Sequence, residues 1–221
     1  MVLLSSCSNG KNTNIELSPI SYETEVYKIN GENLKISGDA RGIAELNTVF
    51  ETEINDWTEN FKSRAGISNA DPSNPPCLQI RHSIKHNDDC ILSIVTEKYA
   101  YISGMHGNTW WSAKNYDVKN DKIINLSDLF SDDGYVRILN EQIKEIIASN
   151  EKEYHDLWKT PEIDRARENR FYLSDGYLCI FYEPYELSYY AKGVVEFPIP
   201  VEKIRGYIKP EYLSSAKNKN G

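Results

Sequence analysis

The residues able to do chemistry gather in two stretches. Residues 182–190 read Tyr-Glu-Pro-Tyr-Glu-Leu-Ser-Tyr-Tyr, four tyrosines and two glutamates beside a proline. Tyrosine offers an apolar ring with a polar tip, and glutamate can meet a basic partner, so Tyr182, Glu183, Tyr185 and Glu186 are candidate ligand-binding residues. The plainer reading is a rigid loop whose tyrosines cap a sheet. Glu183 and Glu186 also make a carboxylate pair of the kind that does acid–base work on glycosidic bonds, although a three-residue spacing fixes no separation between them. Residues 103–111 read Ser-Gly-Met-His-Gly-Asn-Thr-Trp-Trp. His106, between Gly104 and Gly107 at an expected hairpin tip, either faces a ligand, since histidine titrates near neutrality, or hydrogen-bonds the turn and holds two strands in register. Trp110 and Trp111 are adjacent and on a strand point to opposite faces, so one fills the core while the other can serve as a binding platform. Trp110 is counted with the candidate site.

Other catalytic signatures are missing: the sequence has no G-x-S-x-G elbow, P-loop, G-x-G-x-x-G, H-E-x-x-H or EF-hand run. His82 and His86 are four apart, but Arg81, Lys85, Asp88 and Asp89 around them read as an exposed loop. No Cys/His cluster has zinc spacing, so neither a metal nor a cofactor is expected. Cys77 and Cys90 bracket a polar stretch and can close a disulfide loop worth about 3 kcal/mol. Cys179 sits in an apolar run and reads as a small buried hydrophobe.

The elements that position these residues can be sketched from periodicity. A strand is expected over 20–30, with a hairpin turn at Asn30-Gly31 and a short second strand through Leu34 and Ile36. Ile43, Leu46, Phe50, Ile54, Trp57 and Phe61 then recur every three or four residues, one apolar stripe of a helix. A Ser-, Asn- and Pro-rich loop over 66–76 leads to strands at 91–102 and 109–118. A second amphipathic helix over 135–149 turns Tyr135, Ile138, Leu139, Ile143, Ile146 and Ile147 inward. A hairpin at 171–182 and a last edge strand at 194–201 close the chain. Strands and helices are segregated, so the expected class is α+β, a mostly antiparallel sheet packed against two amphipathic helices.

Composition is that of a globular protein: 221 residues, 26% charged and 40% hydrophobic. A net charge of −8 leaves no basic stripe for phosphates, so nucleic acid is not an expected partner. No apolar run of about 18 residues reads as a membrane-spanning helix. Leu4-Ser5-Ser6-Cys7 resembles the lipobox of bacterial lipoproteins, in which a peptidase cuts before a cysteine that then carries lipid. Residues 8–18 are polar, as a tether between lipid and domain would be. This resemblance implies lipidation at Cys7, membrane attachment through that lipid, and export to the periplasm or cell surface.

The second half resembles the RsiV-type extracytoplasmic domain, found in a lysozyme-sensing anti-sigma factor and in PdaC-type peptidoglycan deacetylases. Tyr101-Ile102-Ser103-Gly104-Met105-His106-Gly107 is similar to the family's Tyr-x-Gly-Gly-Ala-His-Gly segment, with Ser103 and Met105 replacing a glycine and an alanine. Asn115-Tyr116-Asp117, Asp128-Leu129-Phe130, Phe181 to Leu187 and Glu196-Phe197-Pro198 follow in the family's order. Residues from Pro19 to Phe61 resemble the smaller domain that precedes it. The organisation implied is a signal remnant and tether at 1–18, a PdaC-like part at 19–89 and an RsiV-like part at 90–213, forming one compact unit. The function implied is a non-catalytic envelope module that binds or senses a lysozyme-like protein or peptidoglycan glycan. The alternatives are an envelope glycan hydrolase and a structural assembly lipoprotein.

Overall fold

A computed structural model describes residues 13–68, 70–163 and 168–213. Cys7, and with it the lipobox-like stretch, lies outside the described residues. The first hairpin joins β1 (Asn14–Glu23) to β2 (Lys28–Ser37) through a turn held by Thr24, whose Oγ1 accepts the N–H groups of Val26 and Tyr27. β1 therefore begins inside the segment read as a tether, and most of its side chains are exposed, which leaves little apolar signal in the sequence. Asn30-Gly31, expected as the turn, lies within β2 opposite Ser21 and Ile20. Gly31 answers to close packing: a Cβ there would lie 2.8 Å from the carbonyl oxygen of Ile80 on the neighbouring strand.

After β2 the helix α1 (Ile43–Gly66) carries the chain across to β3 (Cys77–Asn87), which pairs parallel with β2. Parallel neighbours require such a crossover. Then β4 (Ile91–Tyr101), β5 (Asn108–Asp117) and β6 (Lys122–Ile124) each add antiparallel to the one before, completing a sheet in the order β1-β2-β3-β4-β5-β6. The region read as a loop carrying His82 and His86 is thus a strand. Leu78 and Ile80 join the core beneath α1, and the buried His82 sits edge-on to Phe50 with Nδ1 2.9 Å from the Thr96 hydroxyl. The sequence hides this strand because a bulge between Ile84 and His86 breaks the alternation. It also removes the disulfide: Cys77 and Cys90 sit at opposite ends of a strand some 30 Å long, too far apart to bond to each other.

A second antiparallel sheet, β7 (Phe171–Ser174), β8 (Tyr177–Tyr182) and β9 (Val195–Pro200), lies on the face of the first sheet away from α1. Tyr172, Cys179 and Phe181 meet Val95 and Ala113 across that interface. Two polar ties cross it: Asn115 donates to the Phe171 carbonyl at 2.9 Å, and the Leu173 N–H donates to the Ser93 hydroxyl at 3.1 Å. The outer face of the second sheet is covered by α2 (Tyr135–Ser149), whose Tyr135, Leu139 and Ile143 share a core with Phe171, Ile180 and Phe197. The layers run helix, sheet, sheet, helix, an α+β fold with mostly antiparallel pairing as the sequence predicts. β4 is buried along almost its whole length on both faces, so its sequence reads as a nearly continuous apolar run.

Candidate functional site

The turn after β8 brings the aromatic residues to the surface. Glu183-Pro184-Tyr185-Glu186 closes with the Glu186 N–H donating to the Glu183 carbonyl at 3.1 Å. Tyr185 has φ of 70°, so with proline before it the geometry is that of a type II turn, whose third position favours glycine or asparagine. A tyrosine held there, half exposed at 51%, is backbone strain spent on presenting a ring. The chain then enters a 3₁₀ turn at Tyr190–Lys192.

His106, exposed in the loop joining β4 and β5, stacks on Tyr190 with ring centroids 4.6 Å apart and planes 14° from parallel. Tyr185 lies 5.5 Å from the same tyrosine, and its hydroxyl is 3.4 Å from His106 Nε2. The loop is set by Gly104 at φ of 95° and by Gly107, where a Cβ would fall 2.5 Å from the Tyr99 ring. His106 Nδ1 lies 2.8 Å from the carbonyl oxygen of Gly107. His106 therefore braces its own loop, and its ring lies in an exposed aromatic cluster. Met105, fully exposed, and Tyr189, half exposed, extend the surface.

Glu183 and Glu186 work beneath this cluster. One Glu183 oxygen accepts the Trp111 N–H at 3.0 Å, and the other pairs with Arg170 at 2.9 Å. Glu186 turns back and accepts the Glu183 N–H at 2.6 Å. Glu183 holds the loop against β5 and Glu186 closes the loop on itself, so both carboxylates of the pair suggested by their spacing are engaged in structural hydrogen bonds. Tyr182 is not at the surface: it is 1% exposed, packs edge-on to Phe197 and donates its hydroxyl to the Glu162 carbonyl. Strand alternation in β8 sends it to the α2 side, whereas Phe181 faces the first sheet.

Trp110 is likewise absent from the cluster. It lies on the α1 face of β5 against Trp57, with centroids 4.8 Å apart, while Trp111 on the other face packs on Phe181. Beside Trp110 a buried ion network forms, in which Glu53 of α1 pairs with Lys98 and, at 3.2 Å, with Lys114, and accepts a hydrogen bond from Ser112. The site residues that the structure brings together are thus His106 and Tyr185, with Glu183 and Glu186 as supports. Sequence reading passed over Tyr190 and Arg170; the four-tyrosine run contained the first, and nothing local marked the second. Among the described residues no group of three or more His, Cys, Asp or Glu side chains is arranged to hold a metal ion.

Residues 20–109 match the family described as Deacetylase PdaC, and residues 127–202 match the one described as Protein of unknown function (DUF3298). Among curated proteins, the peptidoglycan-N-acetylmuramic acid deacetylase PdaC of Bacillus subtilis (strain 168) is 28% identical over 157 residues, covering 65% of this chain and 32% of that protein. The anti-sigma-V factor RsiV of the same strain is 30% identical over 103 residues, covering 43% of this chain and 36% of that protein. The matches span about a third of each of these relatives' length. Two crystal structures share the fold. A DUF3298 family member from Bacteroides fragilis has a TM-score of 0.76 at 17% identity, covering 95% of this chain and 99% of its own. A DUF3298 family protein from Pseudomonas aeruginosa has a TM-score of 0.67 at 17% identity, covering 93% and 98%.

Proposed function

Because this chain has the PdaC/RsiV-type domain order, we propose that it is a non-catalytic binding or sensing module of the bacterial cell envelope, exported and lipid-anchored through Cys7. Its ligand is a lysozyme-like protein, with peptidoglycan glycan as the alternative. The observation that carries this reading is the exposed stack of His106 on Tyr190 with Tyr185 beside it. Exposed aromatic side chains on a braced loop are the usual anchors of a protein interface, because they bury much area at little entropic cost. The strained Tyr185 backbone supports the same reading, since it holds at the surface a ring that stays half in solvent beside Tyr190. The acidic net charge suits a basic partner. The non-catalytic part rests on the engaged carboxylates of Glu183 and Glu186.

Calorimetric titration of the chain from Asn9 onward with a basic lysozyme, at two salt concentrations, tests this. The expected result is saturable binding that weakens as salt rises and falls by about 2 kcal/mol, roughly thirtyfold, in Tyr185→Ala. Binding of equal strength in Tyr185→Ala and His106→Ala would place the interface elsewhere. No binding at either salt would remove the lysozyme-like ligand.

A further inference from the structure

The opposite face of β5 carries a second surface. α1 shares its core with β2, β3, β4 and Tyr116 of β5, while Ser112 and Lys114 of β5 reach the flank of the helix at Glu53. Between that flank and β5 runs an open groove of about 450 Å³, lined by Glu45, Thr48, Thr52, Asp56, Trp57 and Lys114 among others. A second depression of about 290 Å³ adjoins it at Asp56 and Trp57 and continues past Asn60 to Arg64. The helix residues recur every three or four positions, so they form a polar stripe beside the apolar one that packs on the sheet.

We propose that this groove is a saccharide-binding site that takes one or two pyranose rings. A pyranose is apolar on its faces and carries hydroxyls around its edge, so it needs an aromatic plane bordered by donors and acceptors. Trp57 is half-buried, braced by Trp110, and lies where the two depressions meet. Glu45 and Asp56 supply exposed acceptors, Thr48 and Thr52 hydroxyls, and Lys114 and Arg64 donors along its length. The charge arrangement selects against other ligands. Lys98 and Lys114 share the Glu53 carboxylate, and Glu45 and Asp56 along the groove offset the charge left over, so its lining presents no positive cluster for a phosphate. A cationic ligand would compete with Lys98, whose ammonium already lies 5.5 Å from the Trp57 ring centre. The volume of the larger depression falls in the range of small-molecule sites. The ion network beneath also fixes the side chains in advance, so little order must be created on binding.

The experiment titrates N,N′-diacetylchitobiose and, separately, cellobiose into the chain from Asn9 onward, following tryptophan emission and heat. The expected result is a saturable response to at least one sugar, with affinity reduced at least about tenfold in Thr52→Arg. Thr52 is exposed on α1, so a long side chain there fills the groove without entering the core; circular dichroism confirms that the variant is folded. Trp57→Leu is expected to lose the emission change and the binding together. No saturable response to either sugar up to about 10 mM, or an unaltered affinity in Thr52→Arg, overturns the proposal. A negative lysozyme titration leaves it standing, because the two surfaces are on opposite faces of β5.

Discussion

Replacing Glu53 by glutamine asks whether the ion network under the groove is held by charge. Burial alone would raise the pKa of Glu53, but the charges of Lys98 and Lys114, with hydrogen bonds from Lys98 and Ser112, outweigh it and hold the group at about 2 against an ordinary 4.5. A folded-state pKa below the unfolded one means that the carboxylate stabilises the fold in full above pH 4.5 and loses that contribution as pH falls toward about 2. At about 1.36 kcal/mol per unit the difference amounts to about 3 kcal/mol. The side chain is 17% exposed, so solvent screening removes little of it. Lys98 works the other way: burial, with the like charge of Lys114, lowers its pKa despite Glu53, so the pair as a whole contributes less than the carboxylate alone. The lysine is charged throughout the acid range and does not alter the slope there. Urea unfolding followed by circular dichroism is the assay. Near neutrality Glu53→Gln is expected to be less stable by about 3 to 5 kcal/mol, because it strands a buried ammonium. At about pH 2 the gap should shrink by about 3 kcal/mol, since the parent has protonated the same group. Glu53→Gln combined with Lys98→Met should recover part of the loss. A gap that stays constant with pH would refute the argument.

Three further outcomes follow from the geometry. Tyr185→Gly relieves a left-handed residue worth about 1 to 2 kcal/mol but forfeits its ring contact, so its unfolding free energy in urea should stay within about 1 kcal/mol of the parent while affinity for the partner collapses. Tyr182→Ala, by contrast, should cost about 3 to 5 kcal/mol of stability, read from the same denaturation curves, because it empties a site in the α2 core. Thiol titration of the chain from Asn9 onward in guanidinium should find Cys77, Cys90 and Cys179 all reactive without reductant; recovery of Cys179 alone would mean that the first two are bonded.

The sequence was most informative where one period persisted. The stripe from Ile43 to Phe61 places α1 and the stripe from Tyr135 to Ile147 places α2, because a helix with one buried face must repeat it every turn. Strands failed where their surroundings were irregular. β1 is an exposed edge with almost no apolar alternation, and β3 carries a bulge after Ile84, so neither shows a clean period of two. Asn30-Gly31 misled because a glycine can be required by a neighbouring strand as easily as by a turn. In the candidate site, residue type identified His106 and Tyr185, but the choice of face decided the rest. Alternation shows that Trp110 and Trp111 part company, yet only the packing of both sheet faces shows which aromatic lies near His106. The partnership of Arg170 with Glu183 spans 13 positions and leaves no local mark.

The central position of β4 bears on how this chain can be inherited. β4 lies within the PdaC-matching segment, yet its outer neighbour β5 lies almost wholly beyond residue 109, and the sheet that covers its far face belongs to the segment matched from residue 127 onward. A gene fragment ending between the two segments would encode a raw sheet edge and a bare apolar face, a target for proteases and self-association. Recombination can therefore move the pair from one architecture to another only as a block, with workable joints before β1 or after the turn at Pro210–Tyr212.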